Sequence, residues 1–206
     1  MSHHLIITGT GRAGTTFLVQ LFTELGLDTG FAGPDCGLFP NCNAGMEFDL
    51  WEPGCPYIVK SPSLCDDLEG LLQSGNIVVD HALIPMRDLY SAAESRRQVA
   101  SAAVDNPYWA EGGAPGGLWH TRQPEDQEGV LAVQLYKLVH TLTAHDIPTT
   151  FLDFPRLAQD PDYLYYKVRF ALGGYHFDEF LRAFHVVRKP HLIHDFSSAA
   201  QHVAKT

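Results

Sequence analysis

Three things are scarce in this 206-residue chain, and each scarcity removes a class of function. Positive charge is scarce: 14 Lys and Arg stand against 24 Asp and Glu, a formal net charge of −10. That excludes the broad basic surface of a nucleic-acid binder, so an anionic ligand must be held by a local cluster of cations and N–H groups. Long apolar runs are scarce too. None approaches the ~20 residues needed to span a bilayer, and the N-terminus enters a strand without the charged region, apolar stretch and cleavage site of a leader, which predicts no membrane span and a cytoplasmic location. Cysteine is confined to Cys36, Cys42, Cys55 and Cys65, with no C-x-x-C pair and no closely spaced histidine. Free thiols and no metal site are expected, with a disulfide or zinc site as the alternative. Repeats and low-complexity tracts are absent.

One further absence is local. Residues 5 to 18, LIITGTGRAGTTFL, read as a strand that breaks into a glycine-rich turn and then a helix. Gly9, Gly11 and Gly14 permit a tight turn whose N–H groups converge with those of the helix start, a cradle for a phosphate. Thr15 and Thr16 add hydroxyls, and Arg12 a planar cation suited to phosphate or sulfate oxygens. The nucleotide-kinase loop requires lysine directly after its last glycine, and here that residue is Thr15, which argues against ATP or GTP chemistry. G-x-G-x-x-G does occur, as Gly9, Gly11 and Gly14, a weak signal alone.

Phe17, Leu18, Leu21, Phe22 and Leu25 then recur at helical spacing until Gly26. Residues 28 to 56 are irregular and rich in Gly, Pro, Cys and Asn, as functional loops are. A short strand is predicted at Tyr57 to Lys60, a helix at 66 to 73, a strand at 76 to 86, and a helix with Asp88 as N-cap. Residues 105 to 125, rich in Gly, Pro and Trp, read as a pocket loop. Beyond it the pattern predicts a helix over 125–144, a strand over 149–153, and helices over 161–172 and 177–184. The alternation implies one α/β domain over 1–206: a P-loop-like three-layer α/β/α arrangement, its mostly parallel central sheet carrying ligands at the carboxyl ends of its strands. His3 and His4 receive no role.

Arg87 falls at the end of the third strand, and Ser91 and Ser95 one turn apart on the next helix, so that one anion could touch all three. GRAGTTFL at 11 to 18 and RDLYSAAES at 87 to 95, in that order, resemble the sulfotransferases that use 3′-phosphoadenosine 5′-phosphosulfate (PAPS). YIVKSP at 57 to 62 looks like that family's lysine-ending strand, and FLDFPRLAQDPDYL like the late strand and helix of bacterial members.

The resemblance implies that Gly11, Arg12, Ala13, Gly14, Thr15 and Thr16 wrap the 5′-phosphosulfate, while Arg87 and Ser95 select the 3′-phosphate. It gives Arg12 the role of stabilising charge as the sulfuryl group departs, leaving 3′-phosphoadenosine 5′-phosphate (PAP) as product. Arg188 and Lys189 faintly resemble a late basic loop on the 3′-phosphate, although Pro190 replaces the usual glycine. The general base departs from the family, because Pro62 stands where cytosolic members keep histidine. Glu47 is the leading candidate, since carbohydrate-modifying members use a glutamate after the first helix; Glu52 and His120 are the others, and Lys60 either aids the leaving group or ends a strand. The expected acceptor is a hydroxyl or amine of a small metabolite or carbohydrate, not a nucleic-acid polymer. A non-catalytic nucleotide or anion module and a divergent P-loop kinase are the alternative readings.

Overall fold

A computed structural model describes residues 1–39, 44–103, 114–194 and 196. Four strands form one sheet: β1 (Ser2–Ile7), β2 (Ile58–Lys60), β3 (Ile77–Met86) and β4 (Thr149–Asp153). Their order is β2-β1-β3-β4 and every pairing is parallel. Parallel neighbours need a crossover between them, and helices supply it: α1 (Thr15–Glu24), α2 (Leu64–Gln73), α3 (Leu89–Ala103) and α4 (Gln127–Ala144). Two more, α5 (Pro161–Val168) and α6 (Phe177–Val187), follow the last strand.

The near-continuous apolar strands predict burial on both faces, and the packing shows it. Leu5 and Ile7 point into a core with Leu18, Phe22, Phe180 and Phe184 from α1 and α6. Ile6, between them, points the other way, into a second core with Leu68 and Leu71 of α2 and Leu138 and Leu142 of α4. Leu83 and Ile84 of β3 divide between the same two cores. The result is a three-layer α/β/α fold. No helix among the described residues is long and apolar enough to cross a membrane.

Several boundaries differ from the sequence expectation for identifiable reasons. β1 begins at Ser2 because its two histidines find partners. His3 Nδ1 lies 2.7 Å from Asp80 Oδ1, and buried His4 bonds the Pro56 carbonyl and the Ser2 hydroxyl. The helix expected over 161–172 closes at Val168 and tightens into a 3-10 turn at Arg169–Ala171. α6 runs on to Val187, its start fixed by Glu179 accepting from the His176 N–H. Pro85 is tolerated inside β3 because it lies past the last pairing with β1, Ile7↔Leu83. Cys36, Cys55 and Cys65 are free thiols, and Cys42 lies outside the described residues.

Candidate anion-binding site

The central strand decides where the functional side chains meet. β1 runs into the glycine-rich loop, and its neighbours end beside it: Lys60 closes β2 opposite Ile7, and Arg87 follows Met86 of β3. The loop's geometry requires its glycines. Gly11 and Gly14 have φ of 68° and 90°, a region that side chains avoid, and Arg12 between them is also left-handed at 56°. A Cβ at Gly14 would stand 3.0 Å from the Phe154 ring, and one at Gly11 would collide with Arg96 Nη2 at 2.6 Å.

Arginines hold the loop's carbonyls. Arg96 Nη2 donates to Thr10 O at 2.6 Å, and Arg87 Nη1 to Arg12 O at 3.1 Å. A trans peptide carries its N–H opposite its C=O, so these bonds also fix the directions of the Gly11 and Ala13 N–H groups. Among the described residues the N–H groups of Gly11, Ala13 and Gly14 make no backbone hydrogen bond. With the unpaired amides of the first turn of α1, they form a set of donors that asks for an anion.

The loop opens onto a cavity of about 370 Å³. Arg12, Lys60, Arg87, Arg96 and Lys189 line it, and Glu47 is its one acidic side chain among the described residues. Among the described residues, five Lys and Arg therefore share one cavity with a single Asp or Glu. That is the local cluster which the acidic composition requires of any anion site.

Arg12 bridges the two motifs. Its Nε donates to Ser95 Oγ at 3.1 Å while its carbonyl accepts from Arg87. The Arg87 guanidinium also donates to the His194 carbonyl and lies over the rings of Phe154 and Phe196. On the opposite wall Lys60, 4% exposed, donates to Thr16 Oγ1, Gly45 O and Glu47 Oε1. Glu47 Oε2 makes no hydrogen bond among the described residues.

Thr15, Thr16, Ser95 and Lys189 line the cavity with these cations, Lys189 also pairing with Asp35 at 3.0 Å. Ala13 is wholly buried and contributes only its backbone. Other expected residues lie elsewhere. Ser91 does not join Arg87 and Ser95: it is turned inward, with its N–H on the Asp88 cap. Arg188, at the end of α6, does not line the cavity, because the chain turns there and presents Lys189 instead. Glu52 sits in an exposed turn. His120 is bonded to Asp66 Oδ2 at 2.8 Å beside a separate shallow depression. Residues 105–113 of the expected pocket loop lie outside the described residues.

The residue that sequence reasoning missed is Arg96. It is 2% exposed, and burial, followed by the nearby Arg12 charge, draws its pKa down to about 10, so it remains a cation near neutrality. One signal pointed to it: it falls four residues after Ala92 on the inward stripe of α3.

Fold and site together define a three-layer α/β protein with a cationic cavity at the carboxyl end of its central strands. No family model, curated protein or solved structure matches the chain.

Proposed function

We propose that the chain is a sulfotransferase that moves a sulfuryl group from PAPS to a hydroxyl or amine of a small metabolite or carbohydrate. The observation that carries the reading is the Arg12 bridge: a loop without the kinase lysine and the Arg87–Ser95 motif are joined at one cavity by two hydrogen bonds. A donor with anions at two ends suits such a clamp.

In this reading the 5′-phosphosulfate lies on the amides of Gly11 to Thr16, and the 3′-phosphate engages Arg87 after displacing the His194 carbonyl. Glu47 Oε1 is held by Lys60, which leaves Oε2 to accept the acceptor's proton. The acceptor oxygen or nitrogen forms a bond to sulfur as the sulfur–oxygen bond to the 5′-phosphate breaks. The released electron pair goes to the phosphate oxygen, where Arg12 stabilises the growing charge. PAP, the sulfated acceptor and a proton on Glu47 account for every atom.

Calorimetry with PAP and 5′-AMP tests the donor, and transfer of labelled sulfate from PAPS into extract metabolites tests the reaction. Equal affinity for the two nucleotides would defeat the proposal.

A further inference from the structure

Arg96 heads the fully buried side chains by volume, and no carboxylate pairs with it among the described residues. Its guanidinium joins two stretches of chain far apart in sequence. One fork nitrogen donates to Thr10 O, under the glycine-rich loop, and the other to Gly117 O at 2.8 Å. Its Cζ lies 4.9 Å from the centroid of the Trp119 ring, and its buried Nε has no hydrogen-bond partner among the described residues. The contact between loop and segment is close. Gly116 has a φ of 81°, which favours glycine, and a Cβ there would stand 3.1 Å from Arg12 Nη1, so the 114–119 segment lies directly against that side chain.

Two arginines thus sit side by side at the cavity wall, Arg12 and the more deeply buried Arg96. Burying like charges together costs free energy that an anion in the cavity offsets. The planar fork also has a positional effect, because a cation with fixed donor directions pins both carbonyls at once, which a lysine cannot do.

We infer that Arg96 is a positioning residue that fixes the 10–14 loop and the 114–119 segment in one arrangement around a bound anion, so that filling the loop is felt at Trp119. The inference rests on the loop binding an anion and is independent of sulfuryl transfer.

The test uses inorganic pyrophosphate as probe, in the 206-residue chain carrying Trp51→Phe and Trp109→Phe so that Trp119 is its single tryptophan, excited selectively over tyrosine. Pyrophosphate changes Trp119 emission saturably in this parent. Arg96→Lys keeps the charge but loses the fork, and it weakens pyrophosphate at least ~10-fold and flattens the emission change, in line with a lost charge-assisted hydrogen bond. Arg97→Lys, on the surface between Glu94 and Glu128, alters neither. A merely structural role lowers the urea midpoint of Arg96→Lys and leaves the affinity of the folded protein intact, which overturns the inference.

Trp119→Leu, read by calorimetry, is the second arm should Arg96→Lys not fold. A roughly threefold or greater loss of affinity supports the coupling, in keeping with a partly desolvated cation–π contact, and an unchanged affinity overturns it. Failure of the parent to bind pyrophosphate overturns the anion reading and this inference together. Binding by the parent with no change in either variant overturns this inference alone.

Discussion

Lys60 Nζ lies 2.9 Å from Glu47 Oε1 and 3.0 Å from Thr16 Oγ1, so a single buried ammonium ties the Glu47 carboxylate to the first turn of the helix behind the glycine-rich loop. Glu47→Gln keeps an oxygen that can accept from Lys60 and removes the carboxylate, both as base and as the charge facing the Lys60 ammonium. We expect transfer from PAPS to fall by roughly 10²–10⁴-fold while PAP affinity is unchanged. Single-turnover rates and calorimetry on the same protein check the split, and unchanged transfer would return the base assignment to another group.

Arg87 and Ser95 predict graded losses. Arg87→Ala removes a charged donor and the support under the Arg12 carbonyl, and should cost PAP about 1.5–3 kcal/mol, bringing its affinity close to that of 5′-AMP. Ser95→Ala removes one neutral acceptor from Arg12 Nε and should cost about 0.5–1.5 kcal/mol. Titration calorimetry of both variants against both nucleotides decides it, since in Arg87→Ala a loss shared equally by PAP and 5′-AMP contradicts a 3′-phosphate site.

The thiols should separate by environment. Cys36 is exposed, whereas burial, followed by the neighbouring Asp66 carboxylate, pushes the Cys65 thiol up to about 12. Because the thiolate is the reactive form, iodoacetamide near pH ~8 should alkylate Cys36 readily and Cys65 only after unfolding. Peptide mass spectrometry gives the order directly, and equal labelling in the native protein would contradict the packing around α2.

His81 predicts a pH effect on stability. Its ring lies tilted against Phe170 with centroids 4.1 Å apart, Nε2 bonds the Thr150 hydroxyl, and burial holds its pKa below the ordinary histidine range. The unfolded chain therefore takes up the proton first. This contribution is full above about pH 6.5 and declines as pH falls through the folded-state value. His81→Gln should shrink the drop in urea midpoint between about pH 7 and pH 5, and an identical drop in both proteins would remove His81 as its source.

Much of this fold was legible because parallel strands buried on both faces are short apolar runs, and LII and IVK stand out between helical patterns, whereas TTFLD, at the sheet edge, buries only Leu152. The loop, Arg87, Ser95, Lys60 and Glu47 were legible as motifs with fixed order, and parallel topology brings their strand ends to one edge of the sheet. What stayed hidden depends on partners distant in sequence. His4 is a buried strand residue only because Pro56 offers a carbonyl 52 residues away. Arg96 resembles any helix-surface arginine until Thr10 and Gly117 supply its acceptors. Arg188 and Lys189 are adjacent in sequence, and only the turn after α6 determines which one reaches the cavity.

β1 is laddered on both sides, to β2 and to β3, and the glycine-rich loop hangs directly from its end. Such a strand exchanges its amide hydrogens only when the whole molecule opens, whereas loop amides without carbonyl partners exchange in the native state. Protection from deuterium should thus fall steeply between Ile7 and Gly11, within four residues. An anion seated on the loop flattens that gradient, so occupancy can be read from the backbone alone, with no turnover and before any acceptor is known.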